Sequence, residues 1–446
     1  MMQQLFDKRS TLLLLIFCLP LLFLPKINLI TVGEQTAGLR IDDFILLLFA
    51  IVCFWANFAC QKCLSDIEIA LLSLVGFSLL SCTLNHLFYA ADMLPVKASF
   101  LYCFRILEYF LFFYIGVFVF RFCRIETIVA GFFLWNLLLM ILQKFQIVGI
   151  FSVEGYIANP DDRMLGIASF GSEIGLLLNF IFCFLMYQNA TNYESKGIYL
   201  PNELKRFISI IYPYFLLLLF VFLVVLSGAR MAIFALFASF IFYLKDVVSW
   251  KRPSTYILPL GALIGGMLLM VYTLYNASGI VSRSKGLLSF ANFDLISVVW
   301  DNITLEYDPI GRESVRMGSY DASWWMRIHK WAYALKLYCL HPECWLQGIG
   351  PGFAMAALDG GFLRILTELG IIGCVLYGRL FYLIARQTTQ LYWMMVAFML
   401  NMVFFDVYLA YKPMSLLFLI AGYAYATNAK PSKNEPLKKL CIEATF

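Results

Sequence analysis

Three arginines in this chain sit where they could grip phosphate. Arg230 ends the tight turn Ser227-Gly228-Ala229-Arg230, Arg163 lies in "NPDDRMLGIASFGSE", and Arg327 lies in "SWWMRIHKW". A guanidinium is planar, keeps its charge, and makes two parallel hydrogen bonds to a phosphate. Two or three of them around a diphosphate leaving group would stabilise the negative charge that grows as the bond breaks. Each also has a plainer reading. An arginine at a membrane boundary can simply reach for lipid phosphate. Asp161 and Asp162 beside Arg163 suit the start of a helix, where carboxylates favour the dipole; as a metal pair they lack an evident third ligand. Arg312 and Arg316 read as a solvated cationic face.

Asp359, in "LDGGFLRI", stands at the mouth of an apolar stretch. It suits a helix N-cap, worth about 1 kcal/mol. It also suits a general base near an acceptor hydroxyl, or an orienter for a sugar. His341 precedes Pro342, at the end of an aromatic helix or within reach of substrate. Gly348, Gly350 and Gly352, with Pro351, cannot continue a helix and let the backbone approach a ligand closely. Arg105 and Glu108, three apart in an apolar run, share a helix face. Charges inside a membrane are functional candidates, and this pair can also neutralise itself.

These residues are carried by a very apolar chain. It has 446 residues, of which 62% are hydrophobic and 14% charged, and its mean hydropathy is +0.81. Apolar runs of about 18 to 22 residues fit helices crossing a hydrocarbon layer about 30 Å thick. They lack the alternation of a transmembrane β-barrel. The fold expected is an all-α polytopic integral membrane protein of about twelve spans. They fall at 11–30, 43–59, 67–88, 100–120, 125–147, 165–187, 208–227, 231–247, 256–275, 362–385, 389–409 and 412–427. The formal charge of +5 is scattered through short loops, which does not suit a nucleic-acid partner. Lys62, Arg121, Arg124, Lys196, Lys205, Arg206, Lys245, Lys251, Arg252 and Arg386 gather on one side. By the positive-inside rule that side is cytoplasmic, with both termini. The N-terminal apolar run has no small-residue cleavage site and reads as an uncleaved first helix.

Residues 276–361 form an outer loop of roughly 85 residues, far longer than an ordinary connection. It contains the helical "ASWWMRIHKWAYALKLYCL", whose Trp324, Trp325, Trp331 and Tyr338 suit a membrane interface. The expected division is a membrane part at 1–275, this loop, further membrane helices over 362–428, and a cytoplasmic tail at 429–446.

In order and position these motifs resemble the O-antigen polymerase/ligase superfamily. The likeness lies in Arg163-x-x-Gly166, Ser227-Gly-x-Arg230, Ser323-x-x-x-Arg327-x-x-x-Trp331 and "HPECWLQGIGPG". "LRIDDFILLL" and "NMVFFD" (Asn401 to Asp406) add to it. The resemblance implies a GT-C-type membrane glycosyltransferase in a Gram-negative inner membrane, with its site facing the periplasm. It would use undecaprenyl-diphosphate-linked glycans as donor and acceptor and need no cofactor or metal. Its partners would be those glycans, membrane lipids and a chain-length regulator protein. Arg230, with Arg163 and Arg327, would attend the diphosphate. Ligases of the superfamily open the corresponding helix with His-Asn, followed by Gly-x-x-Gly. Here Gly370 and Gly373 are present, but Asp359-Gly360 stands in place of His-Asn. That favours a Wzy-type polymerase over a ligase, with Asp359 inheriting the position. The rival from another class is a lipid-linked oligosaccharide transporter or flippase.

Overall fold

The structure is a computed structural model. It describes residues 8–25, 28–31, 38–40, 43–46, 48–52, 64–89, 96–151, 163–192, 202–247, 261, 265–266, 272, 291–303, 320, 322–353 and 358–428. At Arg230, and at several helix ends, the description covers the backbone alone. Asp161, Asp162, Arg312, Arg316, most of the 256–275 span and the tail after Asn428 lie outside the described residues.

The architecture is that of a helical membrane protein. Asp66–Phe88, Ser99–Val119, Ile125–Lys144 and Gly361–Ala385 are long and apolar enough to cross a bilayer. Shorter apolar helices run over Leu12–Phe23, Asp43–Val52, Gly171–Tyr187, Tyr212–Ser227 and Met231–Lys245.

In chain order the labelled helices begin with α1 (Lys8–Cys18), α2 (Asp66–Leu84), α3 (Val96–Val119), α4 (Ile125–Lys144), α5 (Gly171–Asn192) and α6 (Asn202–Ser227). They continue with α7 (Arg230–Val247), α8 (Ala291–Asn302), α9 (Ala322–Leu340), α10 (Gly361–Ala385), α11 (Thr389–Met402) and α12 (Tyr411–Asn428).

Two expectations need correction. The first span does not run unbroken from 11 to 30. After α1 the chain makes one turn at Pro20–Phe23, because proline cannot donate into the preceding helix. A two-stranded antiparallel ribbon follows, β1 (Asn28–Thr31) with β2 (Gly38–Arg40), within an otherwise helical fold. The sixth span starts late. Residues 163–170 are a non-helical approach, and α5 begins only at Gly171.

Local chemistry sets several boundaries. Ser65 and Glu68 form a reciprocal capping box at the start of α2, satisfying two amide donors that a helix start leaves open. At its other end α2 widens into a π-turn over Asn85–Tyr89. Buried Asn85 there donates to Ser81 O at 2.8 Å and Gly348 O at 3.0 Å.

α12 lies deep in the bundle, with 14 of its 18 residues buried. It runs parallel to α3, with Tyr109 against Tyr411 and Phe110 against Phe418. Glu173, at the start of α5, accepts from the Lys412 amide at 3.1 Å. The starts of α5, α10 and α12 and the ends of α6 and α11 therefore share one end of the bundle, here called the site end. Arg121, Arg124, Lys245 and Arg386, at the connecting ends of α3, α4, α7 and α10, lie at the opposite end. Lys412, in the first turn of α12, is 1% exposed. Its ammonium donates to Leu21 O at 2.7 Å and sits 4.7 Å from the Tyr411 ring centre.

The described part of the long loop has a core of its own. Leu295 and Val299 of α8 pack with Trp325, Ile328, Tyr333 and Leu337 of α9. The α9 aromatics use their polar atoms within the protein: Trp331 Nε1 donates to Leu358 O at 3.0 Å and Tyr338 OH to Trp345 O at 2.7 Å.

Candidate active site

The mouth of α10 is held by a carboxylate from far along the chain. Asp406, just after α11, accepts from three successive amides. Leu358 N reaches Oδ2 at 2.7 Å, Asp359 N reaches Oδ2 at 3.4 Å, and Gly360 N reaches Oδ1 at 3.0 Å. Successive N–H groups converging on one point make an anion-binding concavity, and here the anion is a side chain. Asp359 lies in this turn with φ +58°, a left-handed conformation unusual for a residue with a Cβ.

Behind the turn lies a buried charge network. Arg364, fully buried, donates to Asp406 Oδ2 at 2.9 Å and to Glu368 Oε1 at 3.0 Å. Tyr408 OH donates to the other Glu368 oxygen at 3.3 Å. Two carboxylates and a hydroxyl thus compensate the burial of one guanidinium, which alone would be prohibitive. The Tyr102 ring stands beside it. The guanidinium carbons of Arg364 and Arg105 each lie 5.4 Å from that ring's centre.

In front of the turn lies α9. Arg327 Nε is 3.7 Å from Asp359 Oδ2, and its guanidinium is 5.5 Å from the Phe405 ring centre. At that separation the pair is an ion contact rather than a hydrogen bond. Trp331, one turn further along α9, donates to Leu358 O and, at 3.2 Å, to Asp359 O. The Asp359 side chain keeps 29% exposure. Partial withdrawal from water nevertheless pushes its carboxyl above the usual carboxylate value. Arg327 and Lys330 oppose that shift, Asp406 adds to it, and Arg364 opposes it.

The glycines have a different task from the one their spacing suggests. α10 is broken at Gly370, with φ +65° and ψ −166°. The break frees carbonyls on one side and amides on the other, and the 345–350 segment takes both. Ile349 N donates to Thr367 O at 2.7 Å and Gly350 N to Glu368 O at 2.9 Å. Ile371 N and Ile372 N donate to Trp345 O at 3.0 Å and Leu346 O at 3.2 Å. Inside a membrane such freed groups must find partners in the protein. Gly348, with φ +79°, lies so close to the Glu368 backbone that a Cβ would collide with it. Gly352 is also tightly packed, a Cβ there standing 2.7 Å from the Tyr102 ring and 3.3 Å from the Ser99 backbone. Gly350 and Gly352 thus approach protein backbone and side chain, beside the charge network.

The second arginine position is built from the 163–170 approach and the α6–α7 turn. Met164 N donates to Leu226 O at 3.1 Å. The Arg163 side chain lies across Gly228, where a Cβ would stand 3.3 Å from its Cγ and Nε. Arg163 thus packs on the turn that ends at Arg230, the first residue of α7. The 406–412 segment links this corner to the Asp359 corner through Lys412 and Glu173.

His341 does not join either corner. It pairs with Glu343 at 2.8 Å at the exposed end of α9, where that hydrogen bond holds the Glu343 carboxyl below its usual value. Fourteen residues of helix rise put it about 21 Å along the axis from Arg327. Among the described residues no group of three His, Cys, Asp or Glu is placed to hold a metal.

Arg364, Glu368 and Asp406 carry the site's geometry, and the residue-type reading did not single out the first two. The signal was the i,i+4 pairing of opposite charges inside a membrane-spanning stretch. Family models yield no match to the chain, and no curated protein sequence matches it.

Proposed function

We propose that this chain is a membrane glycosyltransferase that lengthens lipid-linked polysaccharide, an O-antigen polymerase. A growing glycan would move from its undecaprenyl diphosphate onto the next lipid-linked repeat unit. The acceptor hydroxyl oxygen bonds to the donor's anomeric carbon. The bond from that carbon to the lipid diphosphate breaks, and its electron pair leaves with the phosphate. The hydroxyl proton passes to the Asp359 carboxylate, and guanidinium groups stabilise the departing diphosphate.

The observation that carries this reading is the contact of Arg327 with Asp359 on a braced turn. Partial burial raises the basicity of that carboxylate, which suits a proton acceptor. The ion contact at 3.7 Å leaves lone pairs for a hydroxyl. Arg163 and the Ser227–Arg230 turn at the same end of the bundle supply the further cations. With Arg121, Arg124, Lys245 and Arg386 taken as cytoplasmic, the site end faces the periplasm of the inner membrane, as a lipid-linked substrate of this class requires. The twelve-span GT-C arrangement belongs to the same proposal.

One observation favours a transporter as a second reading. Arg364, Glu368 and Asp406 are paired, buried ionisable groups of the kind that transport pathways use. Reconstitution separates the two. Purified protein in detergent, given lipid-linked repeat units, lengthens the glycan if it is a polymerase and leaves it unchanged if it only moves substrate. A deletion strain separates polymerase from ligase. Loss of a polymerase leaves lipid A-core capped by single repeats, whereas loss of a ligase leaves bare core and accumulated lipid-linked polymer.

A further inference from the structure

We propose that Asp406 is the positioning residue for Asp359: its carboxylate fills the amide cradle of residues 358–360 and so fixes where the Asp359 side chain points. The role of Asp359 as base rests on the polymerase reading; the positioning does not.

The backbone of this turn is gripped from two sides. Asp406 takes the three N–H groups of Leu358, Asp359 and Gly360. Trp331 takes the carbonyls of Leu358 and Asp359. Only the Asp359 side chain remains to project, and it meets Arg327. A left-handed conformation at a non-glycine residue persists only where its surroundings over-determine it. Here the over-determining group is a carboxylate whose own place is fixed by Arg364, itself held by Glu368. The Glu368 carbonyl in turn accepts from Gly350. A bonded path therefore runs from the glycine segment to the proton acceptor. Asp406, with its side chain 9% exposed, bonds to the backbone of the turn and to Arg364 behind it.

The test uses the full-length protein in nanodiscs and Asp406→Asn, which keeps one amide-accepting oxygen and removes the charge. Amide hydrogen exchange over 358–360 is expected to speed up about tenfold or more, the change that losing a charge-assisted hydrogen bond brings. Exchange in 375–385 should change little, while the unfolding temperature should fall, because one partner of the buried Arg364 pair is neutralised. In elongation assays kcat should fall with KM retained. The groups facing Asp359 are Arg327 and Lys330 from α9, Arg364 from α10, and Asp406. Loss of the negative one should move the acid limb of the pH profile to lower pH. Asp406→Glu is the second variant. It keeps the charge for Arg364 but displaces the carboxylate by one methylene, so it should fold, exchange faster at 358–360 and lose kcat. Unchanged exchange over 358–360 in both variants overturns the proposal. So does exchange that speeds up as much in 375–385 as in 358–360, which marks a purely structural role. Failure of the wild-type protein to lengthen any chain overturns the polymerase reading instead, and the exchange measurement still decides the role of Asp406.

Discussion

Arg364 and Asp406 are 42 residues apart in the chain and 2.9 Å apart in the fold. Their contact ties the start of α10 to the end of α11. Because Arg364 is fully buried, replacing it strands two carboxylates. Arg364→Met is expected to destabilise the protein by about 3–5 kcal/mol, the usual cost of breaking a buried pair from one side. Unfolding in detergent, followed by thermal or denaturant titration, measures it.

Asp359→Asn should trade activity for stability. A carboxyl whose value is raised on folding, as burial raises this one, binds its proton more tightly in the native state. Its contribution then favours folding below the ordinary carboxylate value, and that advantage is lost as pH rises through the raised one. Removing the charge lifts this penalty, and asparagine tolerates the left-handed backbone. The variant should therefore unfold at a higher temperature than wild type at neutral pH, with the two converging in acid. It should also fail to lengthen glycan. A variant that is less stable at neutral pH would contradict the burial argument.

Gly370→Ala should be poorly tolerated. The φ and ψ at Gly370 lie in a region almost confined to glycine, a strain of about 1–3 kcal/mol for other residues. A Cβ there would also press on the Leu346 carbonyl at 2.5 Å. The expected result is a lowered unfolding temperature with loss of activity; Gly378→Ala, where a Cβ meets nothing within 4 Å, is the control.

The arginines should differ from lysine in their requirement. Arg230→Ala should abolish elongation while leaving membrane insertion intact, and Arg230→Lys should retain little because the planar fork is lost. Arg163→Ala, removing one cation beside the same turn, should lower turnover by about 10² to 10³, the range for loss of one oxyanion donor. Elongation assays on purified variants read both, and full activity in Arg230→Ala removes that residue from the mechanism.

His341→Ala should elongate glycan as wild type does, since its partner is Glu343 at the far end of α9. A collapse in turnover would mean that this end of α9 also meets substrate.

Much of the framework was legible in the residues. Apolar run length located most helices, because hydrocarbon thickness fixes how many residues a span needs. Residue type singled out Arg163, the Ser227–Arg230 turn, Arg327 and Asp359 one by one; that Arg163 packs on the turn and Arg327 meets Asp359 is seen only in the fold. What could not be read was the backbone's own bonding. Gly348 and Gly350 looked like a ligand loop because glycine permits close approach to anything, and nothing in the spacing says that the neighbour is a broken helix. Asp406 looked like part of a loose motif, since a carboxylate that caps amides 46 residues away leaves no local signature. The α9 tryptophans suit a membrane interface by composition, and nothing in their spacing says that they pack instead into and against a core shared with α8.

The seam between residues 345–350 and the interruption in α10 also constrains biogenesis. A helix interrupted at Gly370 enters the bilayer with its freed peptide groups unanswered. Only the segment just before it, already delivered to the site end, can answer them. The 345–350 segment must therefore be in place before α10 settles, and inserting or deleting a residue between Leu346 and Ile349 would set the two pairs of rungs out of step.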